Sequence, residues 1–192
     1  MKVLDVQNLS VQYHTGQGHR QALDEVSFSV EKGGIAGIVG ESGSGKSTAM
    51  LAVMGLLAEN ADVTADAIAV CGQQVVPGRD IAMVLQDSLS CLNPTVKIGR
   101  QITETIRDHK NCTRQEARER AEELLDLVGI RNPAQRMRQY PFELSGGMRQ
   151  RTAIAIALAC EPKLIIADEP TTALDAAVQA QIILLLRRIV QD

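Results

Sequence analysis

No stretch of this 192-residue chain is long and apolar enough to span a bilayer, and its first residues, Met1-Lys2-Val3-Leu4-Asp5, lack the apolar core and small-residue cleavage site of a secretory leader. Any membrane role is therefore expected to be peripheral. The four cysteines, Cys71, Cys91, Cys112 and Cys160, contain no C-x-x-C pair, which argues against a zinc site or a disulfide framework and leaves reduced, cytosolic thiols as the simpler account. An excess of positive charge is missing as well. With a net charge of -3, bulk electrostatics supply no reason to expect nucleic acid as a partner, and Arg131, Arg136 and Arg138 are the nearest approach to a basic patch. Internal repeats and low-complexity segments are absent. What remains is a chain of 45% hydrophobic content, long enough to bury a core, so one globular domain with room for a subdomain is expected.

The segment Gly40-Glu41-Ser42-Gly43-Ser44-Gly45-Lys46-Ser47-Thr48 fits the phosphate-cradling pattern G-x-x-x-x-G-K-[ST] at every fixed position. The apolar run Ile35 to Val39 before it reads as a buried strand, and Ala49 to Leu57 after it reads as a helix. Glycines let the backbone turn tightly enough for successive N–H groups to point at one anion, and the helix N-terminus adds its partial positive charge. Lys46 is expected to bridge the β and γ phosphates of a nucleotide, and the Ser47 hydroxyl to bind Mg²⁺. The plainer alternative is a Gly/Ser-rich turn with an exposed lysine.

Two alternating stretches precede this loop, Leu9, Val11, Tyr13 and then Val26, Phe28, Val30, and both read as half-buried antiparallel strands joined by a loop over His14 to His19. After the helix, Ala67 to Cys71 and Ile81 to Leu85 read as short strands. From Ile98 to Val128 the spacing becomes helical, with Ala117, Ala121, Leu124, Leu125 and Val128 on one face. Thr113 with Glu116 three residues on fits a capping box, and Gly129 is a stop signal. Residues 89–140 are thus expected to form a helical insertion into an α/β core, with strands resuming at Leu164 to Ala167. The last helix, about Ala176 to Val190, should bury Val178, Ile182, Leu185 and Ile189; a final βα unit with no following strand suggests a fragment of a longer protein.

Leu164-Ile165-Ile166-Ala167-Asp168-Glu169 is an apolar strand ending in two carboxylates. Beside a phosphate loop, Asp168 is expected to hold Mg²⁺ and Glu169 to polarise an attacking water; alone, the same run is a buried strand meeting solvent at an acidic turn. Leu144-Ser145-Gly146-Gly147-Met148-Arg149-Gln150 leads into an apolar helix, Thr152 to Cys160, and makes a second helix start suited to an anion. One nucleotide needs one cradle. The second would be explained by a nucleotide bound to another chain, or by a simple N-cap with a flexible entry turn.

Together with Thr172-Ala173-Leu174-Asp175, these elements in this order resemble the nucleotide-binding subunits of ABC transporters, and the likeness runs over essentially the whole chain. Val84-Leu85-Gln86-Asp87, Leu92-Asn93-Pro94, Tyr140-Pro141-Phe142-Glu143 and Ala177-Val178-Gln179-Ala180-Gln181 resemble the peptide and nickel importer branch. The resemblance implies an α/β fold: a P-loop NTPase (RecA-like) core, residues 1–88 and 141–192, with an N-terminal antiparallel β subdomain and the inserted helical subdomain 89–140, in one truncated ABC ATPase domain. It makes Gln86 the glutamine that contacts Mg²⁺ and the attacking water, Ser145, Gly146 and Gly147 the clasp on the γ-phosphate of an opposite subunit, and Asp175 an interface aspartate. Tyr13 falls where the family places an aromatic against adenine; otherwise it is a tyrosine of the strand face. ATP and Mg are the implied cofactors.

The implied partners are a second ATPase subunit, preferentially a different one, integral membrane permease subunits and, indirectly, a solute-binding protein, with no nucleic acid and with attachment at the cytoplasmic face of the cell membrane. Two departures stand out. The switch histidine that the family carries after the last helix has no counterpart, because His14, His19 and His109 lie too early, and Ser88 stands where the branch usually has proline. Two alternatives stay open: a soluble ABC-type ATPase acting on nucleic acid or the ribosome, and a subunit that binds ATP while its partner hydrolyses it.

Overall fold

The computed structural model describes residues 1–16, 18–75, 80–85, 91–171 and 174–191. The chain divides into two compact units, Met1–Ile81 and Ala82–Val190.

The first unit is built on a long hairpin. Strand β1 (Lys2–Thr15) pairs antiparallel with β2 (Gly18–Glu31) in a register that sets Val6 opposite Phe28, Leu9 opposite Val26 and Val11 opposite Leu23. The period-2 pattern explains this choice: Leu9 and Val11 are fully buried, while Ser27 and Ser29 alternate with Val26, Phe28 and Val30 as exposed against half-buried. Bulges shift the register between Lys2 and Leu4 and again between Val6 and Val11, which lets the consecutive Val3 and Leu4 both reach the core. On its other edge β1 pairs with β3 (Ala61–Thr64) and β4 (Ala67–Val70), and β4 with β5 (Gln73–Gln74). Helix α1 (Lys46–Met54) packs on β1 and β2 through Ala49, Ala52, Val53 and Met54.

Three sequence expectations are corrected here. The hairpin strands continue through most of the supposed loop, since His14 pairs with His19 and Thr15 with Gly18; polar residues at a hairpin end carry no hydrophobic signal, but the backbone ladder needs none. The helix stops at Met54 rather than Leu57, because Gly55 adopts a left-handed conformation (φ 65°) and the N–H groups of Gly55 and Leu56 donate to the carbonyls of Ala52 and Leu51. The run Ile35 to Val39 forms no strand. Ile35 is 62% and Val39 91% exposed. A strand exists only where a neighbour takes up its N–H and C=O groups, and the sheet of this unit closes on its own antiparallel partners without it.

In the second unit β6 (Ile81–Val84) is hydrogen-bonded to β7 (Leu164–Ala167), and the Asp168 N–H extends the contact to the Val84 carbonyl at 2.9 Å. Helices α2 (Ile98–His109), α3 (Arg114–Leu127), α4 (Pro133–Arg136), α5 (Gly146–Ala159) and α6 (Ala176–Gln191) surround a single apolar cluster. Ile98, Ile102 and Ile106, spaced one turn apart, meet Ala117, Ala121, Leu124 and Leu125, and the apolar second half of α5 adds Ile154 and Ala155. Each fully buried Ile or Leu in such a cluster is worth about 2 kcal/mol of transfer free energy. Of the four α6 residues expected inside, Ile182 and Leu185 are buried while Val178 and Ile189 are partly so.

The expected capping box is present. Thr113 Oγ1 accepts from the Glu116 N–H (3.2 Å), and the Thr113 N–H donates to Glu116 Oε2 (2.7 Å). That hydrogen bond, together with the Thr113 hydroxyl, holds the Glu116 carboxyl below its ordinary value. A carboxylate whose pKa falls on folding stabilises above its unfolded value, so this contribution is complete above about pH 4.5 and is lost as pH drops through the lowered folded value. Thr113→Ala is expected to lower stability by about 1 kcal/mol in chemical denaturation at neutral pH. Amide protection in the first turn of α3, corrected for the intrinsic pH dependence of exchange, should fall in the wild type as pH drops through the lowered Glu116 value and be already reduced at neutral pH in the variant.

Candidate functional site

The loop from Gly40 to Thr48 is shaped by its glycines. Gly43 and Gly45 take φ values of 80° and 92°, a backbone region in which a side chain is strained. At Gly45 space is closed as well: a Cβ there would lie 2.7 Å from Leu23 Cδ2 and 2.8 Å from the Ala22 carbonyl oxygen. At Gly43 an added Cβ would meet nothing within 4 Å among the described residues. Gly45 is the N-cap of α1, which has neither a side-chain cap nor an acidic residue in its first turn. An uncapped helix start with no local carboxylate is suited to an external anion.

Lys46 closes the loop. Its Nζ donates to the carbonyls of Gly40 (2.8 Å) and Glu41 (2.7 Å), and the Ser44 N–H donates to Glu41 O at 3.2 Å. The ammonium is thus held over the loop mouth by neutral acceptors, with no carboxylate paired to it. Glu41, Ser42, Gly43 and Ser44 are exposed, as is Ser47, while Thr48 is half-buried. Tyr13, in the same unit, sits on β1 opposite Arg20 on one side and Ala61 on the other, half-exposed.

In the second unit, Ser145 is the N-cap of α5, its Oγ accepting from the Met148 N–H at 3.4 Å, and both Ser145 and Gly146 are exposed. Gly147 has a packing reason invisible in the sequence: a Cβ would stand 2.9 Å from Val178 Cγ1, so α5 approaches α6 where it has no side chain. Gly146 faces Leu174 (3.6 Å to an added Cβ). The structure therefore brings Ser145 to Gly147 beside Leu174 to Val178, the segment that holds Asp175. Asp175 caps α6, with Oδ1 accepting from the N–H groups of Ala177 (3.1 Å) and Val178 (3.0 Å). An aspartate just ahead of a helix carries that signal, and the sequence reading passed over it. It also passed over the Gln179 side chain, whose Nε2 ties the start of α6 to the Thr171 carbonyl at 2.9 Å.

Asp168 follows β7 half-buried, and Glu169 is exposed with a left-handed backbone (φ 44°) that turns the chain directly after the strand. Gln86, with Asp87 and Ser88, and Thr172 with Ala173, lie outside the described residues. Among the described residues no group of three or more His, Cys, Asp or Glu could hold a metal, and no helix is long and apolar enough to cross a membrane.

A glycine-shaped loop closed by its own lysine at an uncapped helix start defines an α/β protein of the P-loop class. The chain belongs to the ABC transporter family, whose profile matches residues 23–172. It is 46% identical over 201 residues to the dipeptide transport ATP-binding protein DppD of Escherichia coli (strain K12), covering 100% of this chain and 62% of that protein. With the oligopeptide transport ATP-binding protein OppD of Bacillus subtilis (strain 168) it shares 45% over 199 residues, covering 97% of this chain and 55% of that protein. This chain thus spans little more than half the length of such relatives. Among solved structures, cbiO1 from Clostridium perfringens, part of the ABC transporter complex cbiONQ, superposes with a TM-score of 0.81 at 26% identity, over 99% of this chain and 74% of that one. The ATP-binding cassette MJ0796, in a dimeric post-hydrolysis state bound to ADP and Pi, gives 0.78 at 28% identity, over 98% of this chain and 83% of that one.

The two loop glycines separate strain from collision. Gly43→Ala, strained but unobstructed, should cost about 1 kcal/mol in urea unfolding. Gly45→Ala, strained and driven into Leu23 and the Ala22 carbonyl, should cost clearly more, about 3 kcal/mol.

Proposed function

We propose that this chain is the ATP-binding and hydrolysing subunit of an ABC importer for peptides. The observation that carries the reading is the closed Gly40–Thr48 loop, with Lys46 Nζ resting on the Gly40 and Glu41 carbonyls over an uncapped helix start. The relatives support peptides as the transported class, since their names describe dipeptide and oligopeptide transport.

Residue by residue, the loop N–H groups and Lys46 bind and orient a triphosphate: the ammonium exchanges two neutral carbonyl acceptors for charged phosphate oxygens, a stronger class of hydrogen bond. The Ser47 hydroxyl, the Asp168 carboxylate and the Gln86 side chain are the oxygen donors assigned to Mg²⁺, which when bound supplies charge neutralisation on the phosphates. Glu169 orients the attacking water and accepts its proton as general base. Tyr13 offers a ring face to adenine. Ser145 and Gly146, exposed at the start of α5, with the half-buried Gly147 behind them, reach the nucleotide of a second ATPase subunit, and Asp175 belongs to the same interface. That second subunit is assigned as a different chain, and the pair acts on integral membrane permease subunits from the cytoplasmic face, with a solute-binding protein upstream. Residues 1–88 and 141–192 form the nucleotide-binding core in this reading, and 89–140 the helical subdomain.

Lys46→Ala is expected to lower ATP affinity by at least 100-fold in calorimetry, since it removes a charge-assisted contact worth about 3 kcal/mol; unchanged affinity would refute the cradle. Glu169→Gln should retain ATP binding while steady-state hydrolysis in the assembled transporter falls by at least 100-fold, with the ATPase pair accumulating closed around nucleotide in size-exclusion chromatography. Wild-type turnover in that variant would remove Glu169 from the base role.

A further inference from the structure

Arg131, Arg136 and Arg138 take no part in phosphate chemistry, and the fold of the second unit brings a fourth cation to them. The N–H groups of Ile98 and Gly99, at the start of α2, donate to the carbonyls of Gln139 and Met137, each at 2.9 Å, so the segment 137–140 lies along the first turn of that helix. Only glycine permits this approach, because a Cβ on Gly99 would stand 2.7 Å from Met137 Cβ. Lys97 is thereby carried over Tyr140, its ammonium 5.7 Å from the ring centroid. Tyr140 stacks in parallel with Phe142, centroids 5.5 Å apart and planes at 6°, and Phe142 is 69% exposed.

Among the described residues none of Lys97, Arg131, Arg136 and Arg138 forms an ion pair; Arg136 Nη1 donates instead to Gln139 Oε1 at 3.0 Å. The sole carboxylate between residues 129 and 143 is Glu143, which accepts from the Tyr140 N–H at 2.7 Å. In a chain of net charge -3, the segment from Arg131 to Phe142 and the adjacent Lys97 carry four cations and no acidic side chain, which reverses the local sign.

We propose that this surface rests on anionic lipid headgroups, the exposed Lys97, Arg131 and Arg138 facing phosphate and Phe142 entering the boundary between headgroups and acyl chains. Electrostatics favour lipid over a permease loop, because cytoplasmic loops of membrane proteins carry an excess of Lys and Arg and would repel the patch. An aromatic with an open face among unpaired cations is the composition of interfacial anchors, and each cation strengthens attachment to an anionic surface about fivefold. The proposal rests on the membrane-peripheral part of the proposed function and not on its nucleotide chemistry.

The test is sedimentation of the full chain with vesicles of phosphatidylglycerol and phosphatidylcholine, against phosphatidylcholine alone, without nucleotide. Wild type should bind the anionic vesicles only and detach at about 1 M salt, where the screening length falls to about 3 Å. Lys97→Ala/Arg131→Ala/Arg138→Ala should weaken binding roughly 100-fold and Phe142→Ala by less, whereas Arg107→Ala/Arg114→Ala/Arg187→Ala, an equal charge change elsewhere, should stay within a few fold of wild type. Equal loss in the two triple variants, equal binding to neutral vesicles, or binding of a single-stranded RNA oligomer through the patch in place of vesicles would overturn the proposal. ATP affinity measured on the same samples keeps the two readings apart: retained ATP binding without vesicle binding removes the lipid contact alone, and the converse removes the nucleotide reading alone.

Discussion

Backbone passes so close to backbone at Gly45 that a side chain has nowhere to go, and the loop's shape follows from that contact. The residue is left-handed and pressed against Leu23 and the Ala22 carbonyl, so the start of α1 is pinned to the β1–β2 hairpin. Lys46 comes next in the chain, and its reach back to the Gly40 and Glu41 carbonyls closes a ring of seven residues, Gly40 to Lys46. Ala49, Ala52 and Val53 then bury the far side of α1. Packing behind the loop thus holds its conformation and limits the entropy that it has left to lose.

The same device recurs in the second unit. Gly147 lets α5 meet Val178 of α6, and Gly99 lets α2 meet Met137, in each case at a distance that a methyl group would block. Around these contacts the helix ends are closed by side chains already present: Ser145 on α5, Asp175 on α6 and Thr113 with Glu116 on α3. Ser145 stays exposed because the cap needs only one lone pair of its hydroxyl, leaving the oxygen's other side available to a neighbour. The cluster of Ile102, Ile106, Leu124, Leu125 and Ile154 supplies the burial that holds the helices in place.

Much of this was legible in the residues. The capping box, the strands Ala67–Val70, Ile81–Val84 and Leu164–Ala167, and the helical stretch after Ile98 all rest on short-range rules, and all are found close to where those rules put them. The misses share one cause. Ile35 to Val39 has the composition of a buried strand, yet composition cannot supply the neighbouring strand that would make it one. His14 to His19 looks like a loop, yet a neighbouring strand is there and the ladder runs on. Gly147 and Asp175 were read for what they offer a partner, while their packing and capping duties inside the chain depend on α6, some thirty residues away from Gly147.

The sequence by itself therefore determined the local chemistry: which residues can cradle phosphate, cap a helix or end a strand in carboxylates, since those abilities belong to a residue and its near neighbours. Tertiary structure alone decided which of them meet. It set Leu23 behind Gly45, Val178 against Gly147 and Lys97 over Tyr140. Contacts of that kind join residues far apart in the chain, and their geometry is chosen by the packing of whole elements, a quantity that no short window of residues contains.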